Sequence, residues 1–137
     1  MTTEKTTENL AAVYRRYLQC LNERRWNDLH EFVRENLTYN AQPMTLVDYR
    51  AARQAETQAI PDLRFTADLV VTSADTVAAR LFFRCTPQQP FLGFEPTGTQ
   101  ISFVEHVFYS FHDEKIEQVW SLIDTSAIAA QTAGRVS

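Results

Sequence analysis

Glycine is nearly absent: there are 3 in 137 residues. That excludes collagenous and glycine-rich low-complexity chains. There are 2 cysteines, Cys20 and Cys85, far apart in the sequence, and 3 histidines. No CxxC, HxH or HExxH spacing occurs, which argues against a disulfide framework and against a zinc site built from protein ligands. The only lysines are Lys5 and Lys115, the arginines are scattered from Arg15 to Arg135, and the formal net charge is −4. No basic surplus exists to neutralise a phosphate backbone, and no block resembles a polybasic membrane segment, so neither nucleic acid nor a membrane is an expected partner. No run approaches the roughly 18 apolar residues that a bilayer-spanning helix needs. The opening MTTEKTTENL has no apolar stretch of the kind a secretory leader carries, so the expected location is cytoplasmic. GxSxG, GxGxxG and Walker patterns are also missing, which disfavours covalent hydrolysis, dinucleotide binding and phosphoryl transfer.

Apolar residues make up 45% of the chain, aromatics 12% and charged residues 22%. This is globular composition, and the length suits one domain over 1–137, with a core of about 8–131 and frayed termini. Leu10, Val13, Tyr14, Tyr17, Leu18 and Leu21 share one helical face, which predicts a helix from Thr7. Asn27 is placed to cap a second, shorter helix that buries Leu29, Phe32 and Val33. Leu37 to Asn40 reads as a short strand ended by Pro43. Thr45, with Asp48 three residues on, starts a third helix that turns Leu46, Tyr49, Ala52 and Ala59 inward and stops at Pro61.

Beyond Pro61 the period changes. Leu63 to Thr72, Val77 to Thr86, Ile101 to Phe111 and Ile116 to Asp124 are rich in β-branched and aromatic residues, with short turns at 73–75 and 112–114. Pro87 to Gly98 reads as a loop at the rim of the sheet. The predicted order is α-α-β-α-β-β-β-β, an α+β fold in which a mainly antiparallel sheet curls around three N-terminal helices and leaves one open end.

That order resembles the NTF2-like superfamily, and more narrowly the SnoaL-like polyketide cyclase family. The residues carrying the match are Ile60-Pro61-Asp62-Leu63, Phe91-Leu92-Gly93-Phe94, Pro96-Thr97-Gly98, the run from Ile101 to His106, and Lys115-Ile116-Glu117 through Trp120 to Asp124. The resemblance implies a cone-shaped, commonly dimeric fold. It also implies intramolecular aldol-type ring closure with an aspartate as acid/base and neither cofactor nor metal. The chain departs from the family where a turn glycine is replaced by Glu114, and where Cys85-Thr86-Pro87-Gln88 stands in place of a Gly-Thr-His segment.

Asp124 ends a strand whose alternate positions are Ile116, Gln118, Trp120 and Leu122. On an inward face it would be desolvated and suited to acid/base work. Alternatively it caps the segment that follows. His106 alternates with Ser102, Val104 and Phe108. A three-residue turn at 112–114 would pair it with Trp120 and bring Ser102 opposite Asp124, whereas a two-residue turn would place Asp124 on the other face. The first register is adopted, making Asp124 and His106 the expected catalytic pair. Trp120, Phe108, Leu122 and Gln118 would then line the pocket, joined by Tyr14, Tyr17 and Tyr39. A core histidine and core aromatics are the plainer alternatives. In this register Glu105 faces solvent or a partner, and Phe103, Val107, Tyr109 and Val119 form an outer apolar face for a homodimer.

The expected activity is cofactor-independent acid/base chemistry (cyclase, isomerase or aldol-type) on a small hydrophobic carbonyl compound. A non-catalytic small-molecule-binding module is the alternative. An epoxide hydrolase would need an Asp-Arg-Asp set around Arg80 or Arg84, for which no second pocket aspartate is found.

Overall fold

The computed structural model describes residues 2–133. Residues 2–7 and 132–133, expected to fray, belong to helices, so the first helix starts at Thr2 and not at Thr7; fraying of residue 1 or of 134–137 lies outside the described residues. Helix α1 spans Thr2–Asn22 and buries the predicted face, Leu10, Val13, Tyr14, Tyr17, Leu18 and Leu21, together with Cys20. It ends in a Schellman-type cap: Arg25 N–H donates to Cys20 O and Arg24 N–H to Leu21 O, with Arg24 left-handed at φ 58°. Glycine is the usual residue at such a cap. Here the Arg24 guanidinium adds bonds to the carbonyls of Leu21, Pro61 and Leu63, tying the helix end to the segment before the third strand. The Asn22 side chain adds two more, donating to Phe65 O and accepting from Phe65 N–H.

The expected second helix is a 3₁₀ turn, Trp26–Glu31, and Asn27 does not cap it. Phe32 and Val33 are buried, but Val33 already belongs to strand β1, Val33–Tyr39. A second departure follows at once. Asn40 and Ala41 both take positive φ (49° and 70°), so the chain reverses in a two-residue turn into a strand β2, Gln42–Thr45. Pro43, read from sequence as a terminator, sits in β2 opposite Thr38. The sheet tolerates it because β2 is an edge strand. Helix α2, Leu46–Ala59, begins as expected: the Thr45 hydroxyl accepts from Asp48 N–H at 3.2 Å.

Strands β3 (Thr66–Ser73), β4 (Thr76–Cys85), β5 (Ile101–His112) and β6 (Lys115–Ile123) form the meander, and a short helix α3, Thr125–Ala133, follows. The order across the sheet is β2-β1-β6-β5-β4-β3, antiparallel except where β1 runs parallel to β6. This is a curved, open, mixed sheet in an α+β fold; β2 is the strand the sequence reading did not supply, and the single helical turn that the sequence suggests after Asp124 is the nine-residue α3. Its concave face packs on the helices. Phe83, Phe103, Val107, Tyr109, Phe111, Ile116 and Val119 point inward and are buried. Both cysteines are buried and free.

Candidate functional site: a two-part interior cavity

The β5–β6 hairpin decides which side chains meet. Its turn is Asp113-Glu114, two residues at φ 53° and 64°. His112 pairs with Lys115 and Phe111 with Ile116, but then Ser110 pairs with Gln118, leaving Glu117 as an extra residue in a bulge. The bulge changes the parity that a plain two-residue turn would have given. His106 therefore lies opposite Leu122, and Phe108 opposite Trp120. The side chains expected to share a face do share one, with His106 displaced by two residues from its expected partner Trp120.

That face is the convex one. Leu122 is 75% exposed, Phe108 53% and Trp120 44%; His106 and Asp124 are exposed, and Gln118 is half-buried. These residues do not enter the interior. The Asp124 carboxylate accepts from Ala127 N–H at 3.1 Å at the start of α3, and its own N–H donates to Val104 O. Arg80, on the same convex face, pairs with Asp68. The residues expected outside, Phe103, Val107, Tyr109 and Val119, are the buried ones. The larger side chains of β5 occupy the odd positions, and it is these that the helices cover.

The concave side holds two adjoining cavities. The larger, about 240 Å³, is walled by Phe65, Phe83, Phe103, Ile123 and α2, with Phe91 and Leu92 of the 86–100 loop at its rim. The smaller, about 20 Å³, lies deeper among Tyr17, Tyr39, Tyr49, Arg53 and Tyr109. Glu56, Phe65 and Glu105 line both. Of the tyrosines expected in a pocket, Tyr17 and Tyr39 line the inner cavity. Tyr14 is buried beside it and donates to the Tyr109 hydroxyl at 3.3 Å.

Glu105 is the residue that sequence reasoning misplaced. It faces inward from β5 between Phe103 and Val107, and the Ser121 hydroxyl of β6 donates to its carboxylate. Burial pushes its pKa up; the Ser121 bond and the nearby Arg53 cation only partly offset this. Glu56 is also raised by burial, against the pull of Arg53, to which it is paired at 2.8 Å. Arg53 lies over the rings of Tyr49 (4.9 Å) and Tyr39 (5.6 Å). Tyr17 and Tyr49 share a short hydroxyl–hydroxyl bond, and burial raises Tyr14, Tyr17, Tyr49 and Tyr109, so these phenols stay protonated and can donate. Cys85 is pushed up to about 11 by burial, which disfavours a thiolate nucleophile. Among the described residues no group of three or more His, Cys, Asp or Glu side chains is placed to hold a metal ion.

A signal for Glu105 was present. It is the only charged side chain in the otherwise apolar odd register of β5: Ile101, Phe103, Glu105, Val107, Tyr109, Phe111. A lone carboxylate in the more apolar register is the one to suspect of facing a cavity.

Comparison with known proteins agrees with this architecture. The sequence profile of the SnoaL-like polyketide cyclase family matches residues 11–132. Among solved structures, a SnoaL-like polyketide cyclase from Agrobacterium tumefaciens shares 42% identity, with TM-score 0.86 over 89% of this chain and 96% of that one. AclR from Streptomyces galilaeus, named as a candidate hydroxylase, shares 18% identity (TM-score 0.78; 93% of this chain, 98% of that one). TsrD from Streptomyces laurentii shares 22% (TM-score 0.78; 93% and 95%). At those identities the last two show a common fold alone. No curated protein matches.

Proposed function

The chain belongs to the SnoaL-like polyketide cyclase family, and from that premise we propose that its interior cavity binds a small hydrophobic carbonyl compound, on which Glu105 acts as acid/base. One observation carries the reading: a carboxyl group, raised in pKa by burial, stands where an apolar cavity meets a polar one. An apolar ligand body fits the aromatic walls, while its polar end meets Glu105. A desolvated carboxylate is a stronger base than one in water and can take a proton from a carbon next to a carbonyl. The C–H bond breaks, the proton goes to the Glu105 carboxylate, and the electron pair moves onto the carbonyl oxygen as an enolate. Aldol-type ring closure and isomerisation both begin with this step. Ser121 holds the carboxylate in place.

A generic probe tests the step. In D₂O, 2-acetylnaphthalene should exchange its acetyl hydrogens faster with the protein than in buffer, followed by NMR. Glu105→Gln should lower that enhancement by about 10²–10⁴-fold, the usual range for general acid–base catalysis, with an unchanged circular dichroism spectrum. Asp124→Asn and His106→Ala should retain it. Wild-type protein that binds the ketone without accelerating exchange would instead support the non-catalytic binding module.

The exposed sheet face is the second element of the proposal. Leu69, Val71, Phe108, Trp120 and Leu122 are apolar and exposed on the convex face of one sheet, suited to a second copy of the chain.

A further inference from the structure

Arg53 Nε is the one buried side-chain nitrogen or oxygen without a hydrogen-bond partner among the described residues. The other end of the guanidinium is paired with Glu56, its faces lie against Tyr39 and Tyr49, and the side chain is only 13% exposed. A buried N–H on a cation is costly to leave without an acceptor, so an orphan of this kind calls for an explanation. The inner cavity that Arg53 lines, about 20 Å³, is large enough for a single oxygen atom.

We propose that Arg53 is the anchoring residue of the site: its Nε–H donates to the oxygen of a neutral carbonyl ligand whose apolar body fills the larger cavity. This rests on the reading of the cavity as the ligand site. The charges present select a neutral ligand over an anionic one. Arg53 is already paired with Glu56, and Glu105 adds a second carboxyl. A ligand carboxylate would bring another negative charge beside Glu105 in a medium of low polarity, whereas a ketone or ester brings none. The same placement suits the proton transfer. When Glu105 takes the proton it becomes neutral, and the negative charge reappears on the ligand oxygen against Arg53. The charge of the site is conserved, and the developing oxyanion meets a donor already in place.

Three matched probes test this: 2-ethylnaphthalene, 2-acetylnaphthalene and 2-naphthoate, titrated by naphthalene fluorescence against the full chain and its Arg53→Lys and Glu105→Gln variants. Wild-type protein should bind the ketone about tenfold or more tighter than the hydrocarbon, and the naphthoate more weakly than the ketone. Arg53→Lys keeps a cation for Glu56 but loses Nε–H, so its ketone affinity should fall to that of the hydrocarbon. Saturating ketone should also shift the Arg53 Nε–Hε resonance of the ¹⁵N-labelled wild-type protein, a readout that does not depend on the variant folding. A wild-type protein with no ketone preference overturns the proposal. So does an unmoved Nε–Hε resonance, or a folded Arg53→Lys that keeps the preference. Glu105→Gln should keep the ketone preference while losing exchange, so a wrong assignment of Glu105 is seen separately from a wrong assignment of Arg53. If even the hydrocarbon fails to bind, the cavity reading falls with both.

Discussion

Glu105 is a buried carboxyl with one hydroxyl partner and two charged neighbours of opposite sign, and burial dominates its pH behaviour. Burial raises its pKa, while the Ser121 bond and Arg53 pull it down. As a base it must be ionised. Ketone exchange should therefore rise with pH along a limb whose midpoint lies above the ordinary carboxyl value of 4.5. Ser121→Ala removes a bond to the charged form, so it should move that midpoint further up, as read from the pH–rate profile. Stability follows the opposite sign. A carboxyl whose pKa is raised on folding holds its proton more tightly in the native state, so its contribution is complete below the unfolded value and is lost as pH rises through the folded one. Glu105→Gln removes that loss and should gain stability relative to wild type as pH increases, measured by urea unfolding at several pH values.

Arg24 sets two effects against each other: its left-handed backbone favours glycine, while its side chain makes three bonds to carbonyls. Arg24→Ala keeps the strained conformation and loses the bonds, which should cost about 1–2 kcal/mol. Arg24→Gly loses the same bonds but relieves about 1 kcal/mol of strain, so its unfolding midpoint should fall between those of wild type and the alanine variant.

Among the elements, α1, α2 and the β3–β6 meander were legible because their patterns are long and periodic. The capping threonine and the stop near Pro61 fixed α2 almost to the residue. Two short features were not legible. The turn into β2 uses Asn40-Ala41 rather than Asn-Gly, and Pro43 in a strand contradicts local propensity unless that strand is an edge, which only the assembled sheet reveals. The bulge at Glu117 likewise has no glycine to announce it. It happened to restore the face-sharing expected from a three-residue turn. The choice of inner face was then decided wrongly, because Phe108, Trp120 and Leu122 suggest a pocket wall as readily as an outer patch. Ile101, Phe103, Val107, Tyr109 and Phe111 make the stronger apolar register, and that register faces the helices. With the faces exchanged, Asp124 and His106 moved to the convex side, while Glu105 moved to the cavity. Arg53 and Glu56, spaced for one face of α2, were not singled out because an i, i+3 ion pair usually lies in solvent.

For the whole molecule, the convex face raises the question of its cover. Five large apolar side chains, Leu69, Val71, Phe108, Trp120 and Leu122, are each at least 44% exposed on strands of one sheet. Left to water, such a patch promotes unspecific association. A second copy packing the same face about a two-fold axis would bury it on both chains at once, which is how an isologous interface forms. Of the charged groups on this face, Arg80 is already paired with Asp68. The protein should therefore run in light scattering at about twice 15.8 kDa at micromolar concentration. Trp120→Glu or Leu122→Glu sets like charges against each other across the axis and should give the 15.8 kDa monomer. Both positions lie outside the cavity, so these variants should still bind 2-acetylnaphthalene with wild-type affinity. A wild-type monomer would remove the dimer while leaving the interior site untouched. A monomeric Trp120→Glu that no longer bound the ketone would mean that the sheet needs its partner to hold Glu105 in place.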